Sequence, residues 1–212
     1  MKADDMITSL VDDLKPVRAL QRRIGVALVG FAFAATLTAV LILAGPAAPV
    51  MAGDSSMLFL STNGLLLVLG IATSIGAIAM ASPRVGNHYE GQRWVIGMAS
   101  ILPLAALFLL IGEGAHWHEA LGIKAGWHCA LQGLLCSGLT AFTLIMWLRR
   151  GAPVDPNFAG LLVGVGAAAL GSVAYGISCP YDGVYHLGLW HNVPVIVGAV
   201  IGRFVISRIL RW

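Results

Sequence analysis

The sequence predicts an all-α integral membrane protein built as a bundle of six transmembrane helices. Of its 212 residues, 58% are hydrophobic and only 11% are charged, whereas a soluble domain has about 25% charged and roughly 45–50% apolar residues. The chain also contains six apolar segments long enough for a helix to cross a bilayer core about 30 Å thick. These proportions exclude a water-soluble fold, and they exclude disorder, which requires low hydrophobicity and high charge.

The first five apolar segments contain no Asp, Glu, Lys or Arg, and Arg203 alone interrupts the sixth. The spans are predicted at 24–44, 59–82, 94–111, 126–148, 158–177 and 187–207. We place Arg203 near the end of its helix, where its side chain reaches the interface. A signal peptide is disfavoured because 23 residues precede a first apolar run that is itself too long. Residues 24–212 are therefore expected to form one transmembrane domain.

The basic residues predict the orientation of this bundle. Twelve of the thirteen Lys and Arg lie in the N-terminal segment, the second and fourth loops, and the C-terminal end. In a six-span chain these regions share one side of the membrane, and only Lys124 falls on the other side. The positive-inside rule therefore places both termini in the cytoplasm.

Glycines within the last two spans predict a close contact between helices. Gly160 with Gly164, and Gly198 with Gly202, have the spacing of small residues that lets two helix backbones approach. Static packing is the favoured interpretation, and an interface that moves is the alternative.

Segment 1–23 is the one sizeable soluble stretch predicted on the cytoplasmic side. Its apolar residues recur at spacings that place them on one face of a short helix, which Asp4 and Asp5 can cap and Pro16 ends. The apolar face consists of Met6, Ile7, Leu10, Val11 and Leu14. A helix this short is marginal alone in water, so we expect it to fold when another surface covers that face.

The charge of this segment indicates what covers it. Its first 14 residues hold four aspartates and one lysine, whereas a helix lying on anionic lipid is rich in Lys and Arg. An acidic amphipathic helix fits a groove on a basic protein partner, and proteins that bind nucleic acids have such basic surfaces. Packing of the helix against the bundle is the alternative.

Residues 1–17 read Met-Lys-Ala-Asp-Asp-Met-Ile-x-x-Leu-x-x-Asp-Leu-x-Pro-Val and are followed by six spans. This arrangement resembles the NrsF family of membrane anti-sigma factors over essentially the whole chain. Cys179-Pro180, His186 and Trp190-His191 are similar to the last outer loop and span of that family. The third cysteine, Cys136, lies outside the family pattern.

The resemblance implies a non-enzymatic protein that holds an extracytoplasmic-function sigma factor at the membrane and releases it under stress, including heavy-metal stress. The sigma factor and the lipid bilayer are then the expected partners, with no direct contact to nucleic acid. The residues expected to bind the sigma factor are Asp4, Asp5, Met6, Ile7, Leu10, Val11, Asp13 and Leu14.

The predicted topology collects soft metal ligands on the periplasmic face. Cys129 begins the fourth span and Cys179 begins the last outer loop. Two such thiols suit Zn or Cu as a signal ligand, or they form a disulfide in an oxidising compartment. The resemblance implies that these two cysteines are the sensing pair. Further candidate metal ligands are His116, His118, His128, His186 and His191.

Cys136 is the one cysteine outside the predicted sensing pair. Cys136 lies about 10 Å deeper in the membrane than Cys129 and is interpreted as a packing residue.

Two other function classes are alternatives to the anti-sigma factor. A membrane thiol oxidoreductase, or a haem protein using His128 and His191, is one alternative, although the three cysteines include no CxxC pair. A small metal transporter is the other, and spans without charged side chains disfavour it.

Overall fold

The computed structural model describes residues 20–82, 122–183 and 185–211 without interruption. It also describes single positions elsewhere, namely 7, 8, 11, 12, 97, 100, 101, 103–105, 107, 108 and 111. Every regular element within these residues is a helix. The predicted all-α class is therefore confirmed.

Five of the helices are long and apolar enough to cross a membrane. The helices are α1 (Arg22–Leu43), the short α2 (Ala48–Ala52), α3 (Met57–Met80), α4 (Ile123–Arg149), α5 (Pro156–Gly176) and α6 (His186–Ile209). The five long helices coincide with five of the six predicted spans. Half of the remaining predicted span, 94–111, lies outside the described residues, and its nine described positions are helical. The count of six spans therefore stays a prediction.

Helices α3 and α5 begin two residues before the predicted apolar runs, and each is capped by a polar residue that precedes it. Helix α5 begins at Pro156, where Asp155 accepts a hydrogen bond of 3.0 Å from the Phe158 N–H. Helix α3 begins after Ser56, whose hydroxyl accepts from the Phe59 N–H at 3.0 Å. An N-terminal cap satisfies amides that have no partner within the helix.

Helix α5 is the centre of the bundle. It is buried on nearly all sides and packs against α1, α3, α4 and α6. Glycine and alanine make up much of this helix, and small residues let neighbouring backbones come close. A shift of any of these four helices would therefore change its packing against α5.

The predicted glycine contact is present between α5 and α6. A Cβ atom added at Gly164 would collide with the carbonyl oxygen of Gly198, and one added at Gly160 would collide with that of Gly202. The contact is reciprocal, since a Cβ atom at Gly202 would meet the carbonyl oxygen of Gly160. These four positions leave no room for a side chain, so the two helix backbones touch.

One end of the bundle collects the basic residues and is called here the arginine end. The Trp147 indole N–H donates to the Ile78 carbonyl at 3.3 Å, and its ring packs on Gly25. Arg211 donates to the side-chain oxygen of Asn157 at 2.9 Å. These contacts join the starts of α1 and α5 to the ends of α3, α4 and α6. The basic residues of the arginine end are Arg22, Arg23, Arg149, Arg150, Arg208 and Arg211.

Candidate functional site

The end of the bundle opposite the arginine end holds Cys129 and Cys179, the two cysteines predicted to sense the signal. Here the start of α4, the loop between α5 and α6, and the first turn of α6 meet. The Ala47 N–H donates to the Ile177 carbonyl at 2.9 Å, and the Ser56 hydroxyl donates to the Asp182 carboxylate at 2.6 Å. These hydrogen bonds tie the α5–α6 loop to the segment that precedes α3.

The two predicted sensing cysteines are in contact. The sulfur atoms of Cys129 and Cys179 lie 3.5 Å apart, and both residues are buried. Gly126, one helical turn before Cys129, has no side chain and so accepts the indole ring of Trp190 against the α4 backbone. This contact brings the first turn of α6 against the start of α4, beside the thiols.

Two histidines of α6 complete a cluster around Cys179. The Nε2 atom of His186 lies 3.3 Å from the Cys179 sulfur, and the His186 and His191 rings are 5.6 Å apart between centroids. In an α-helix, residues five apart point about 140° away from each other. Residues 186–190 instead form a π-helical turn, in which hydrogen bonds join residues five apart. The wider turn therefore brings both imidazoles to one side of α6.

Cys129, Cys179, His186 and His191 form one buried group, called here the Cys/His cluster. One ligand atom from each residue lies within 4.8 Å of the other three. Within the part of the chain that the structure describes, the Nε2 atom of His191 is buried without a hydrogen-bond partner. Buried polar atoms in native proteins nearly always have a partner. The cluster therefore has the composition and spacing of a site for a soft metal ion, and its two thiols are close enough to react together.

The Cys/His cluster favours the thiolate form of Cys179, which lies in the loop beyond the end of α5. The pKa of Cys179 is held well below its usual range, chiefly because Cys129 donates a hydrogen bond to its sulfur. Contacts with His186 and His191 lower this pKa further, while burial opposes them. Since the thiolate is both the nucleophile and the metal ligand, these contacts favour both roles for Cys179.

A family model described as NrsF, negative regulator of sigma F, matches residues 10–212. The chain belongs to the NrsF family. It is 31% identical over 150 residues to the "Anti-sigma-F factor NrsF" of Caulobacter vibrioides (strain NA1000 / CB15N), an alignment that covers 68% of each chain. It is 22% identical over 149 residues to the "Probable anti-sigma-F factor NrsF" of Azospira oryzae (strain ATCC BAA-33 / DSM 13638 / PS), covering 70% of each. No solved structure matches this chain.

Membership confirms the predicted resemblance and places the chain among regulatory proteins rather than enzymes. The alternative of an enzyme, such as a thiol oxidoreductase, is therefore wrong.

The other candidate ligands of this NrsF-family chain do not join the Cys/His cluster. His128 is exposed on α4, where its ring lies 6.3 Å from that of Tyr175 between centroids. Cys136 is half-buried two turns further along α4 and is not part of the group. His116 and His118 lie outside the described residues. Of the five histidines named from sequence, the structure thus brings two to the thiols.

Positions 7, 8, 11 and 12 of the N-terminal segment are helical and exposed. Ile7 and Val11, both on the predicted apolar face, are 58% and 56% exposed. The other predicted sigma-binding residues lie outside the described residues, namely Asp4, Asp5, Met6, Leu10, Asp13 and Leu14. The two described members of the apolar face are therefore accessible to a partner.

Proposed function

We propose that this chain is an anti-sigma factor of the bacterial inner membrane. It holds an extracytoplasmic-function sigma factor through its cytoplasmic segment 1–23 and releases it when a metal or an oxidant acts on periplasmic Cys129 and Cys179. The observation that carries this proposal is the 3.5 Å contact of the two buried thiols at the end opposite the arginine end. In this proposal the reactive thiols lie on one side of the membrane and the binding segment lies on the other. This arrangement suits a protein that transmits a signal across the membrane.

Either signal would change the restraint at the outer end of the bundle. A transition metal such as Zn or Cu binds the two sulfurs as thiolates. A peroxide would take up two electrons and two protons from the thiols, giving a disulfide and two waters. The sulfurs would then move from 3.5 Å to about 2.05 Å apart. Both reactions act on the junction between α4 and the α5–α6 loop.

Helix α5 provides the route to the cytoplasmic side. It leads from the loop that contains Cys179 to the arginine end, and it contacts α1, which follows segment 1–23. A signal changes sigma-factor binding only if the two states of the bundle differ in their affinity for the sigma factor. We propose that the position of α5 relative to its neighbours distinguishes these states.

The binding segment fits a protein partner rather than the bundle surface. Ile7 and Val11 are more than half exposed within a helical stretch, which supports an apolar face left for a partner. The acidic charge of the segment matches the basic surface of a protein that binds nucleic acid. The chain thus acts on transcription through the sigma factor, without contacting nucleic acid itself.

The test is a reporter gene transcribed by the sigma factor, measured in cells that carry the double variant Cys129→Ser, Cys179→Ser. We expect the reporter to stay repressed when a copper salt or hydrogen peroxide is added, because both groups that receive the signal are gone. The variant Cys136→Ser is the matched control and should respond as the unmodified chain does. Full induction in the double variant would contradict sensing by this pair.

A further inference from the structure

We infer that the Cys/His cluster is a closed coordination site for one Zn²⁺ ion, with Cys129, Cys179, His186 and His191 all acting as ligands. This inference deepens the proposed function and rests on it for the regulatory role of the site. The coordination itself is argued from the geometry, burial and charge of the four residues.

Two of the distances between ligand atoms match the edges of a zinc tetrahedron. Zn–S bonds of about 2.3 Å and Zn–N bonds of about 2.0–2.1 Å place the ligands of a tetrahedral ion about 3.3–3.8 Å from one another. The two sulfurs are 3.5 Å apart, and the Cys179 sulfur is 3.3 Å from the Nε2 atom of His186. Both distances fit edges of a tetrahedral ligand set, and the other ligand atoms, all within 4.8 Å of one another, would move closer together when the ion binds.

The fourth ligand is indicated by an atom without a partner. His191 is 3% exposed, and its Nε2 atom makes no hydrogen bond in the described part of the chain. In a neutral imidazole, one nitrogen accepts a hydrogen bond or binds a metal, and the other carries a proton that needs an acceptor. A metal ion bound at Nε2 would give this buried atom a partner and would fix the proton on Nδ1.

Charge balance also favours a divalent ion. Two thiolates and two neutral imidazoles around Zn²⁺ leave no net charge in the buried site. A buried charge is tolerated in proteins when it is paired or coordinates a metal. A tetrahedral set of two sulfurs and two nitrogens is the coordination typical of zinc, whereas Cu²⁺ prefers square-planar nitrogen and oxygen ligands.

The ligands come from three parts of the fold, so a bound ion would link these parts to one another. Cys129 lies in α4, Cys179 lies in the α5–α6 loop, and the two histidines flank the π-helical turn of α6. Bound zinc would therefore fasten together α4, the end of α5 and the start of α6. Residues 180–183, which follow Cys179 in the loop, are exposed.

The test measures zinc bound to the full-length chain, purified in detergent with its thiols reduced. We expect about one Zn²⁺ per chain, since the four residues supply the tetrahedral set of a structural zinc site. Loss of a residue that merely supports a ligand lowers metal affinity 10–100-fold, so Cys129→Ser and His191→Ala should each lower it by at least about tenfold. The matched controls Cys136→Ser and His128→Ala should bind zinc as the unmodified chain does.

A second variant separates loss of a ligand from loss of the fold. His191→Cys supplies a third thiolate at the same position, so it should retain the metal. With Co²⁺ as the probe, it should show stronger thiolate-to-metal absorption than the unmodified chain. Absence of bound zinc in the reduced unmodified chain would overturn the inference, as would a zinc affinity in Cys129→Ser and His191→Ala equal to that of the unmodified chain.

These results are distinct from failure of the proposed function. If the double cysteine variant loses induction while the unmodified chain binds no zinc, sensing by the thiols stands and zinc coordination is wrong. If the variants lose zinc while induction is unchanged, zinc coordination stands and sensing by these cysteines is wrong.

Discussion

Replacing Leu10 with Asp is expected to weaken sigma-factor binding by about tenfold or more and to leave the reporter active without any signal. Leu10 lies at the centre of the predicted apolar face of segment 1–23, between Ile7 and Val11. Burying one such side chain is worth roughly 1.5–3 kcal/mol, and about 1.4 kcal/mol corresponds to a factor of ten in affinity. A charge placed on this face loses that contribution and adds the cost of desolvating a carboxylate.

Co-purification of the sigma factor with the membrane-bound variant measures this effect. Ser9→Asp is the matched control because it adds the same charge one residue away, about 100° around the predicted helix from Leu10 and outside the predicted apolar face. Val11→Asp is a second test at a described position, where the side chain is 56% exposed and contributes little to the bundle. Equal recovery of the sigma factor with Leu10→Asp and Ser9→Asp would show that the apolar face does not bind it.

Replacing Gly164 with Ala is expected to lower the stability of the bundle by about 1–3 kcal/mol, the usual cost of overpacking a core. The added methyl group would collide with the carbonyl oxygen of Gly198, so α5 and α6 would have to separate. The four glycines of this contact lie between the Cys/His cluster and the arginine end. We therefore also expect a weaker response to the signal in this variant.

Gly30→Ala is the matched control for the glycine contact. Gly30 lies in α1 with no atom within 4 Å of an added Cβ, and Ala is favoured over Gly in a helix by roughly 1 kcal/mol. This control should be as stable as the unmodified chain or slightly more so. Unfolding midpoints in detergent compare the two variants, and equal midpoints would mean that the α5–α6 backbones are not in contact.

Composition and charge were sufficient to predict most of the fold. Absence of charged residues over about 20 positions predicts a spanning helix because few other structures satisfy the backbone in lipid. The helix ends were less predictable, since Asp155 and Ser56 cap helices from outside the apolar runs. The GxxxG spacing predicted the α5–α6 contact because only glycine permits so close an approach.

The candidate site was predicted in part. Topology placed both cysteines on one face, and the family resemblance paired them, but their contact depends on tertiary structure. Gly126 accepts the Trp190 ring, and neither residue signals this packing by itself. The five-residue spacing of His186 and His191 would place them on different faces of an α-helix. They share one side of α6 because residues 186–190 form a π-helical turn. No pattern in the sequence predicts that turn.

Accessibility of two introduced cysteines to a membrane-impermeant maleimide tests the central claim, that the thiols and the binding segment lie on opposite sides of the membrane. Gly183→Cys is suitable because Gly183 is exposed with no atom near an added Cβ, and Ser9→Cys reports on the binding segment. The unmodified chain gives the background, since its own cysteines are buried or half-buried. In intact spheroplasts we expect labelling at position 183, and labelling at position 9 only after lysis. Labelling of both positions before lysis, or of neither, would contradict the account.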